Sequence, residues 1–516
     1  MIIYQVYPRS FSDSNNDGIG DLAGIEQKLS YIKSLGVDAI WISPFFKSPM
    51  KDFGYDVADY RAVDPIFGSM DDFKRLMRSA KSQGLGVIVD MVISHTSEEH
   101  GWFKQSRARE NGKSDWYLWA DPKPDGSPPN NWVSVFGGPA WRWDAERRQY
   151  YFHSFLSSQP DLNMHHPDVQ DAVLAEMDFW LDMGVAGFRF DACNHIFQDQ
   201  SLRSNPPREN TAEALHPYGF QVHLYDQGRP EMLPFLERIR KLLDAYGAFS
   251  LAEVGGVDPL KLMGQYTQPG RLHSAYSFAL MRPDYSAAYV RNVIATLEEH
   301  IHPSSAACYA MSNHDKPRVA TRWLQGRDPV DTAKAHFAML LCMRGDICIY
   351  QGEELALPQA DVPYERLQDP FGISFWPKFK GRDGCRTPMP WDDAQHGGFS
   401  TVEPWLPVDP SHLALNVESQ ENDETSMLRF AREMIALRKA RPELDKGRIA
   451  FIDAPEGVLA FTRTHEGRRM TCVFNMDGVT RKVPGIDADT VVLSQHAAWD
   501  GSALTLGVSG FCLFAG

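Results

Sequence analysis

From Ile2 to Tyr350, short β-branched runs alternate with amphipathic helical stretches, and this alternation limits the fold more than any other feature of the chain. Strands are expected at Ile2–Val6, Ala39–Ile42, Gly86–Val92, Gly187–Phe190, Phe249–Ala252, Ser274–Leu280, Ala307–Met311 and Ile347–Tyr350. Helices are expected at Leu22–Leu35, stopped by Gly36, and at Met70–Gln83, stopped by Gly84. Such an order predicts a parallel sheet with crossover helices, and eight strands are the number that closes an α/β (β/α)8 TIM barrel.

Three stretches break the alternation. Between His95 and Gln159 the chain is rich in Trp, Pro, Gly and Asn and too long for a plain loop, which predicts a small domain inserted after strand 3, at 96–160. The barrel then comprises 1–95 and 161–445, with an irregular insertion at about 353–421 after strand 8. The last amphipathic helix is expected at Asp423–Lys439. After Pro442, short alternating runs (Val458–Arg463, Met470–Phe474, Thr490–Leu493, Gly510–Phe514) predict a C-terminal all-β domain at 446–516.

Composition narrows the partners. A net charge of −15 repels phosphate backbones, which argues against nucleic acid. No apolar run reaches the length of a membrane span, and the N-terminus lacks the basic region of a signal peptide. The 7 cysteines contain no C-x-x-C pair, so they read as reduced thiols of a cytoplasmic protein, not as a disulfide frame or zinc site.

Polar residues gather where the strands end: Asp90 and His95, Arg189 and Asp191, Glu253, then His314 and Asp315. In a barrel these ends share one face, and residues two apart in a strand point the same way. One acid at such a place reads best as a cap or salt-bridge partner; the set does not. Two acids suit glycoside hydrolysis by double displacement, and a third suits sugar binding.

The segments Asp90-Met-Val-Ile-Ser-His95, Gln159-Pro-Asp-Leu-Asn163, Gly187-Phe-Arg-Phe-Asp191, Ala252-Glu253-Val254 and Asn313-His-Asp315 fall in the order of the α-amylase superfamily, glycoside hydrolase family thirteen. The chain resembles its α-glucosidase and oligo-1,6-glucosidase branch most, through Gln159–Asn163, Gly381–Trp391 and the opening Tyr4–Phe11. One departure is Ser94, where that branch usually has Asn. The resemblance implies that Asp191 is the nucleophile, Glu253 the general acid/base and Asp315 the carboxylate that stabilises the transition state. Arg189 would hold Asp191 ionised, and His95 and His314 would donate to hydroxyls of the same glucose. A retaining pair of carboxyl groups should lie about 5–5.5 Å apart.

The same resemblance implies that Asp52 and Tyr55 line the innermost sugar site. Tyr55 would stack on the pyranose, and Asp52 would pair with Arg382 to close the non-reducing end, with Arg386 as an alternative partner. Phe136 and Phe155 of the inserted domain are candidates for apolar walls. Ala192, where relatives selective for α-1,6 bonds usually carry Val, leans the reading towards α-1,4 bonds.

Oxygen-bearing residues alternate at Asp13, Asn15, Asp17 and Asp21, with Gly18 sixth, like the first half of an EF-hand loop. With the backbone carbonyl of Ile19 they suggest a structural Ca²⁺ site, of a type that binds a metal in this branch. No motif for an organic cofactor appears. The expectation is a retaining exo-acting α-glucosidase acting on small, maltose-like α-glucosides. The alternatives are an oligo-1,6-glucosidase and a sucrose-active glucosidase or transglucosylase. Non-catalytic relatives are the remote alternative, but they carry a membrane span and lack the intact acids.

Overall fold

The computed structural model describes every residue except 213, 215, 488 and 489. Eight parallel strands close a barrel: β1 (Ile2–Val6), β2 (Ala39–Ile42), β3 (Gly86–Met91), β4 (Gly187–Phe190), β5 (Phe249–Val254), β6 (Ser274–Ser277), β7 (Ala306–Tyr309) and β8 (Gly345–Tyr350). Each strand pairs with its neighbours in sequence, and β8 pairs with β1. All eight lie where the alternation predicts them, with shifts of a few residues at the ends. The largest shift is in β6: the chain leaves the sheet after Ser277, and Ala279–Met281 coil into a 3-10 turn.

Local chemistry accounts for the helix ends. Ser69 accepts from the Asp72 amide while the Asp72 side chain accepts from the Ser69 amide, a capping box that starts helix Met70–Ser82. The helix expected at Leu22–Leu35 is broken at Lys28, whose ψ of 5° lies outside the α region, and its second half ends on left-handed Gly36. Gly187 lets β4 and β5 approach: a Cβ there would stand 2.1 Å from the Phe249 carbonyl oxygen.

Residues 96–160 contain a three-stranded antiparallel sheet, Trp119–Ala120, Gln149–Phe152 and Trp141–Asp144, around a small core that includes Trp132, Trp141 and Phe152. After β8 come short helical turns, then helix Met427–Ala440, capped by Ser426. The C-terminal part is an antiparallel sheet, with strands from Arg448–Phe451 to Ala503–Ala515. Strands Arg448–Phe451 and Arg481–Pro484 have no counterpart in the sequence reading. All 7 cysteines are buried and none forms a disulfide. Among the described residues no helix is long and apolar enough to cross a membrane.

Candidate active site

Strand alternation builds the site in layers. Ile3, Ile88 and Leu251 belong to an apolar cluster inside the barrel. Two residues further along the same strands come Gln5, Asp90 and Glu253, all buried. Register aligns Asp90 with Arg189 and Glu253 with Tyr276, so polar groups from four strands, three of them charged, meet above the apolar plug.

Arg189 is the hub. Its side chain is fully buried, with the guanidinium carbon 4.8 Å from the Trp41 ring centre. Nη1 donates to Asp90 Oδ1 and to Asp191 Oδ1, each at 2.8 Å. Nη2 donates to Glu253 Oε2 and, at 2.9 Å, to the Tyr276 hydroxyl, which itself donates to Glu253 Oε2 at 2.8 Å. One cation thus grips three carboxylates, and charge-assisted bonds of this kind are the strong ones.

The acids do not titrate alike. Burial raises the Glu253 pKa to about 7; Arg189 opposes this, and repulsion from Asp191 and Asp315 adds to it. Burial likewise raises Asp191 to about 7 against Arg189, with Asp90 and Asp315 repelling. The two therefore titrate as a linked pair near neutrality. Burial would raise Asp315 too, but the Arg382 and Arg386 guanidiniums hold its carboxyl below the ordinary range, so it stays ionised.

Asp191, Glu253 and Asp315 open into one cavity of about 330 Å³, together with Tyr55, Phe136 and Phe155. One end is shut by ions. Arg382 Nη2 donates to Asp52 Oδ1 at 2.7 Å and to Asp369 Oδ1 at 2.8 Å, and Nη1 reaches Asp315 Oδ1 at 3.3 Å. The guanidinium also lies 5.2 Å from the Phe136 ring centre. Arg386 does not pair with Asp52; it donates to Asp315 Oδ1 at 2.9 Å and to the His314 carbonyl at 2.7 Å. Ala192, beside Asp191, lines the cavity with a left-handed φ of 41°, a conformation that costs about 1–3 kcal/mol and needs the surrounding structure to hold it.

The two histidines differ from expectation. Burial lowers His314 to a pKa of about 3, so the ring is neutral and carries one proton. Gln5 Nε2 donates to its Nδ1 at 2.7 Å, which places that proton on Nε2, 2.6 Å from the Tyr55 hydroxyl. Tyr55 in turn donates to Asp90 Oδ2 at 3.0 Å. The His314 ring stacks on Tyr55 at 5.4 Å and does not line the cavity. His95 does line it, with Nδ1 2.9 Å from Ser94 Oγ and Nε2 3.0 Å from the Tyr55 carbonyl. Ser94 thus supports His95 through its hydroxyl. For either ring to bond a sugar, a protein bond must be exchanged.

Several site residues escape the sequence reading. Tyr276 looks like a core aromatic, and Asp369, ahead of Pro370, looks like a helix cap, which it also is. Gln159, at the head of the Gln159–Asn163 motif, donates to Asp52 Oδ2 at 3.1 Å. The whole connection between Asp191 and helix Met232–Tyr246 is also missed, yet it lines the outer cavity through Asn194, Tyr218, His223 and Gln227. It is pinned to the inserted segment by Asn130, Asn131 and Trp132, which donate to the carbonyls of Leu202, Asn205 and Arg203 at 3.1, 2.9 and 2.8 Å.

Away from the cavity, the loop Asp13–Asp21 folds through Asx turns. Asp13 Oδ1 accepts from the Asn15 and Asn16 amides, Asp13 Oδ2 from Gly18, and Asp17 Oδ1 from Ile19. Asp21 caps helix Leu22–Gln27 and accepts from Ser14. The donor set is all oxygen, as Ca²⁺ prefers, and among the described residues no cation pairs with Asp13, Asp17 or Asp21. The chemistry therefore fits the ion, although no three acidic side chains are drawn close enough to form a ready-made cluster among the described residues.

The family model for the α-amylase catalytic domain matches residues 5–447. A probable α-glucosidase of Rhizobium meliloti is 51% identical over 497 residues, covering 94% of this chain and 90% of that protein. An oligo-1,6-glucosidase of Parageobacillus thermoglucosidasius is 35% identical over 515 residues, covering 93% and 90%. The crystal structure of the α-glucosyl transfer enzyme XgtA is similar at a TM-score of 0.97, with 50% identity, over 100% of this chain and 98% of that one.

Proposed function

The chain belongs to the α-amylase family, and from that premise we infer an α-glucosidase that releases glucose with retention from the non-reducing end of short α-glucosides. One observation carries this reading: Arg189 joins Asp191 and Glu253 at the wall of a cavity that also holds Asp315 and is shut by the Arg382–Asp52 pair. Two carboxylates on neighbouring arms of one planar guanidinium sit close together. That favours the retaining separation of about 5–5.5 Å over the inverting one of about 6.5–9.5 Å.

In this mechanism Asp191 attacks the anomeric carbon while Glu253 gives its proton to the departing oxygen. The glycosidic bond breaks and a glucosyl ester of Asp191 forms. Glu253, now ionised, takes a proton from water, whose oxygen displaces Asp191 and restores the starting configuration. Asp315, held ionised, stabilises the positive charge that builds on the ring. Tyr55 offers a ring face to the sugar, and the closed end admits one ring, which makes the action exo.

The α-glucosidase and oligo-1,6-glucosidase relatives support hydrolysis of small α-glucosides. Ala192 favours α-1,4 bonds, as in maltose. The likeness to an α-glucosyl transfer enzyme, together with outer walls that include Phe278, Phe371 and Phe379, favours a share of transfer to other hydroxyl compounds. A structural Ca²⁺ held by Asp13, Asn15, Asp17, the Ile19 carbonyl and Asp21 is part of the proposal; its place is to brace the loop, remote from the acids.

The test is proton NMR of the first product from maltose, isomaltose and sucrose. α-Glucose is expected before mutarotation, with maltose cleaved faster than isomaltose. β-Glucose as the first product refutes retention, and a strong preference for isomaltose refutes the linkage assignment.

A further inference from the structure

The catalytic cavity holds two cations that its own acids leave unpaired. Four carboxylates line it: Asp52 pairs with Arg382, Asp191 and Glu253 with Arg189, and Asp315 with Arg386. Lys316 and Arg208 line the same cavity, and among the described residues neither side chain makes a salt bridge or a hydrogen bond. Lys316 follows Asp315 directly, in a turn closed by the bridge between Asn313 and Lys316.

Register places this lysine on the side of the proton donor. Val254 pairs with Ser277, so Phe278 begins just past Glu253, and the Lys316 ammonium lies 4.7 Å from the Phe278 ring centre. Burial lowers the pKa of this amine, while Asp315 and Glu253 raise it. Both acids act on it only through space. Asp315 Oδ1 accepts from Arg386 at 2.9 Å, and Glu253 Oε2 accepts from Arg189 and from the Tyr276 hydroxyl. A cation partly withdrawn from water without a carboxylate of its own is short of a counter-charge.

Arg382 and Asp52 shut the end that takes the glucosyl ring, so the group bonded to that ring lies past Glu253, beside Phe278, Lys316 and Phe371. Phe371 and Phe379 meet with ring centres 4.7 Å apart and form an apolar wall. His216 lies 5.2 Å from Phe371, and burial and the Lys316 charge both lower its pKa, so the wall and the lysine face the same space. Arg208, exposed at the rim, adds to the positive field. Aromatic surface beside an unpaired ammonium fits a flat aryl group that carries an anion, and a carboxylate is ionised at neutral pH.

We propose that the leaving-group side of the cavity selects phenols that carry a carboxylate, with Lys316 as the partner of that carboxylate. The selection rests on the α-glucosidase reading and gives that activity its aglycone class. In hydrolysis the phenol oxygen takes the Glu253 proton as its bond to the anomeric carbon breaks. In transfer the phenol gives its proton to Glu253 while its oxygen displaces Asp191, so both directions use the same seat. The test compares 4-carboxyphenyl and 4-carbamoylphenyl α-glucosides, which differ in that charge and hardly in size. The quantity read is the ratio of their kcat/KM values, carboxylate over amide; its change from wild type to variant cancels the difference in leaving-group acidity. Lys316→Met is expected to lower the ratio roughly tenfold, as loss of one charge-assisted bond implies, and Lys316→Arg to keep it. The fold should survive, because among the described residues the ammonium has no protein bond to lose. Glucose release from maltose is followed alongside. A wild type that is active on maltose and a ratio that Lys316→Met leaves unmoved overturn this inference alone. A wild type that releases no glucose from maltose overturns the α-glucosidase reading and this inference with it.

Discussion

The Tyr276 hydroxyl sits between the hub and the proton donor, accepting from Arg189 Nη2 at 2.9 Å and donating to Glu253 Oε2 at 2.8 Å. A hydrogen bond to the ionised form of a carboxyl lowers its pKa. Tyr276→Phe removes that bond and keeps the ring against Trp41. The Glu253 pKa should therefore rise, and the acid form should persist to higher pH. The alkaline limb of the kcat/KM profile is expected to move up by roughly one pH unit, as one lost bond to a charged group implies. An unmoved alkaline limb would show that Tyr276 does not tune the donor. This residue also marks where the sequence runs out. Asp191, Glu253 and Asp315 are legible because an acid that ends an apolar strand has no place in an ordinary core. Tyr276, two positions after Ser274 in a buried run, carries no such mark, since a tyrosine in a strand normally just packs. For the same reason His314 is legible as a site histidine, but its attachment to Gln5 and Tyr55 is not, because those partners lie 309 and 259 residues away in the chain.

Elements with a repeat are readable and elements without one are not. The eight barrel strands stand out by their β-branched runs, and the acids at their ends fix which face is chemical. Among its described residues the connection from Asp191 to Met232 has two 3-10 turns, and its sequence has no hydrophobic period, so nothing in its composition predicts that it lines the cavity. The loop Asp13–Asp21 is the opposite case, an irregular element whose alternating oxygens are visible in the sequence. It braces the start of helix Leu22–Gln27, because Asp21 Oδ1 accepts from Gly24 at 2.7 Å. If Ca²⁺ seats there, three like-charged carboxylates gain a counterion in the folded state alone, and binding adds about 2.7 kcal/mol at a hundredfold excess over Kd. Stripping the protein with a chelator is expected to lower Tm by roughly a few degrees, and added Ca²⁺ should restore it. Asp17→Ala should abolish that response and leave kcat/KM near the untreated value. Identical melting with and without the chelator would remove the ion from the description.

At the scale of the whole molecule, the buried titratable groups set how stability follows pH. Burial raises Asp161 and Glu353 to about 8, against donors from Ser154 and from the Tyr350 amide, and it raises Asp191 and Glu253 to about 7. A carboxyl whose folded pKa lies above its unfolded one stabilises most below the unfolded value, and that contribution is lost as pH rises through the folded value. The histidines run the other way. Burial lowers His95, His100, His153 and His195 to about 4, so their contribution is complete above the unfolded value of 6.5 and is lost on acidification. Below pH 6.5 the two sets oppose each other. About one pH unit above it the histidines are largely neutral in both states and mainly the acids still titrate, joined by the Met1 ammonium, whose pKa is raised on balance by Asp346 against the effect of burial. From about pH 7.5 to about 8.5 stability should therefore fall. Apparent Tm at a fixed scan rate should decline steadily across that window, and the decline should be shallower in Asp161→Asn and Glu353→Gln, which keep the size but cannot ionise. Asp161 holds Ser154 of the inserted segment by its amide at 2.8 Å and its hydroxyl at 2.7 Å, so its ionisation acts where the insert meets the barrel. A Tm that rises across this window in the wild type, or an equally steep decline in both variants, would mean that these two carboxyl groups do not keep their protons at neutral pH and that the seam between insert and barrel is wetter than their burial implies.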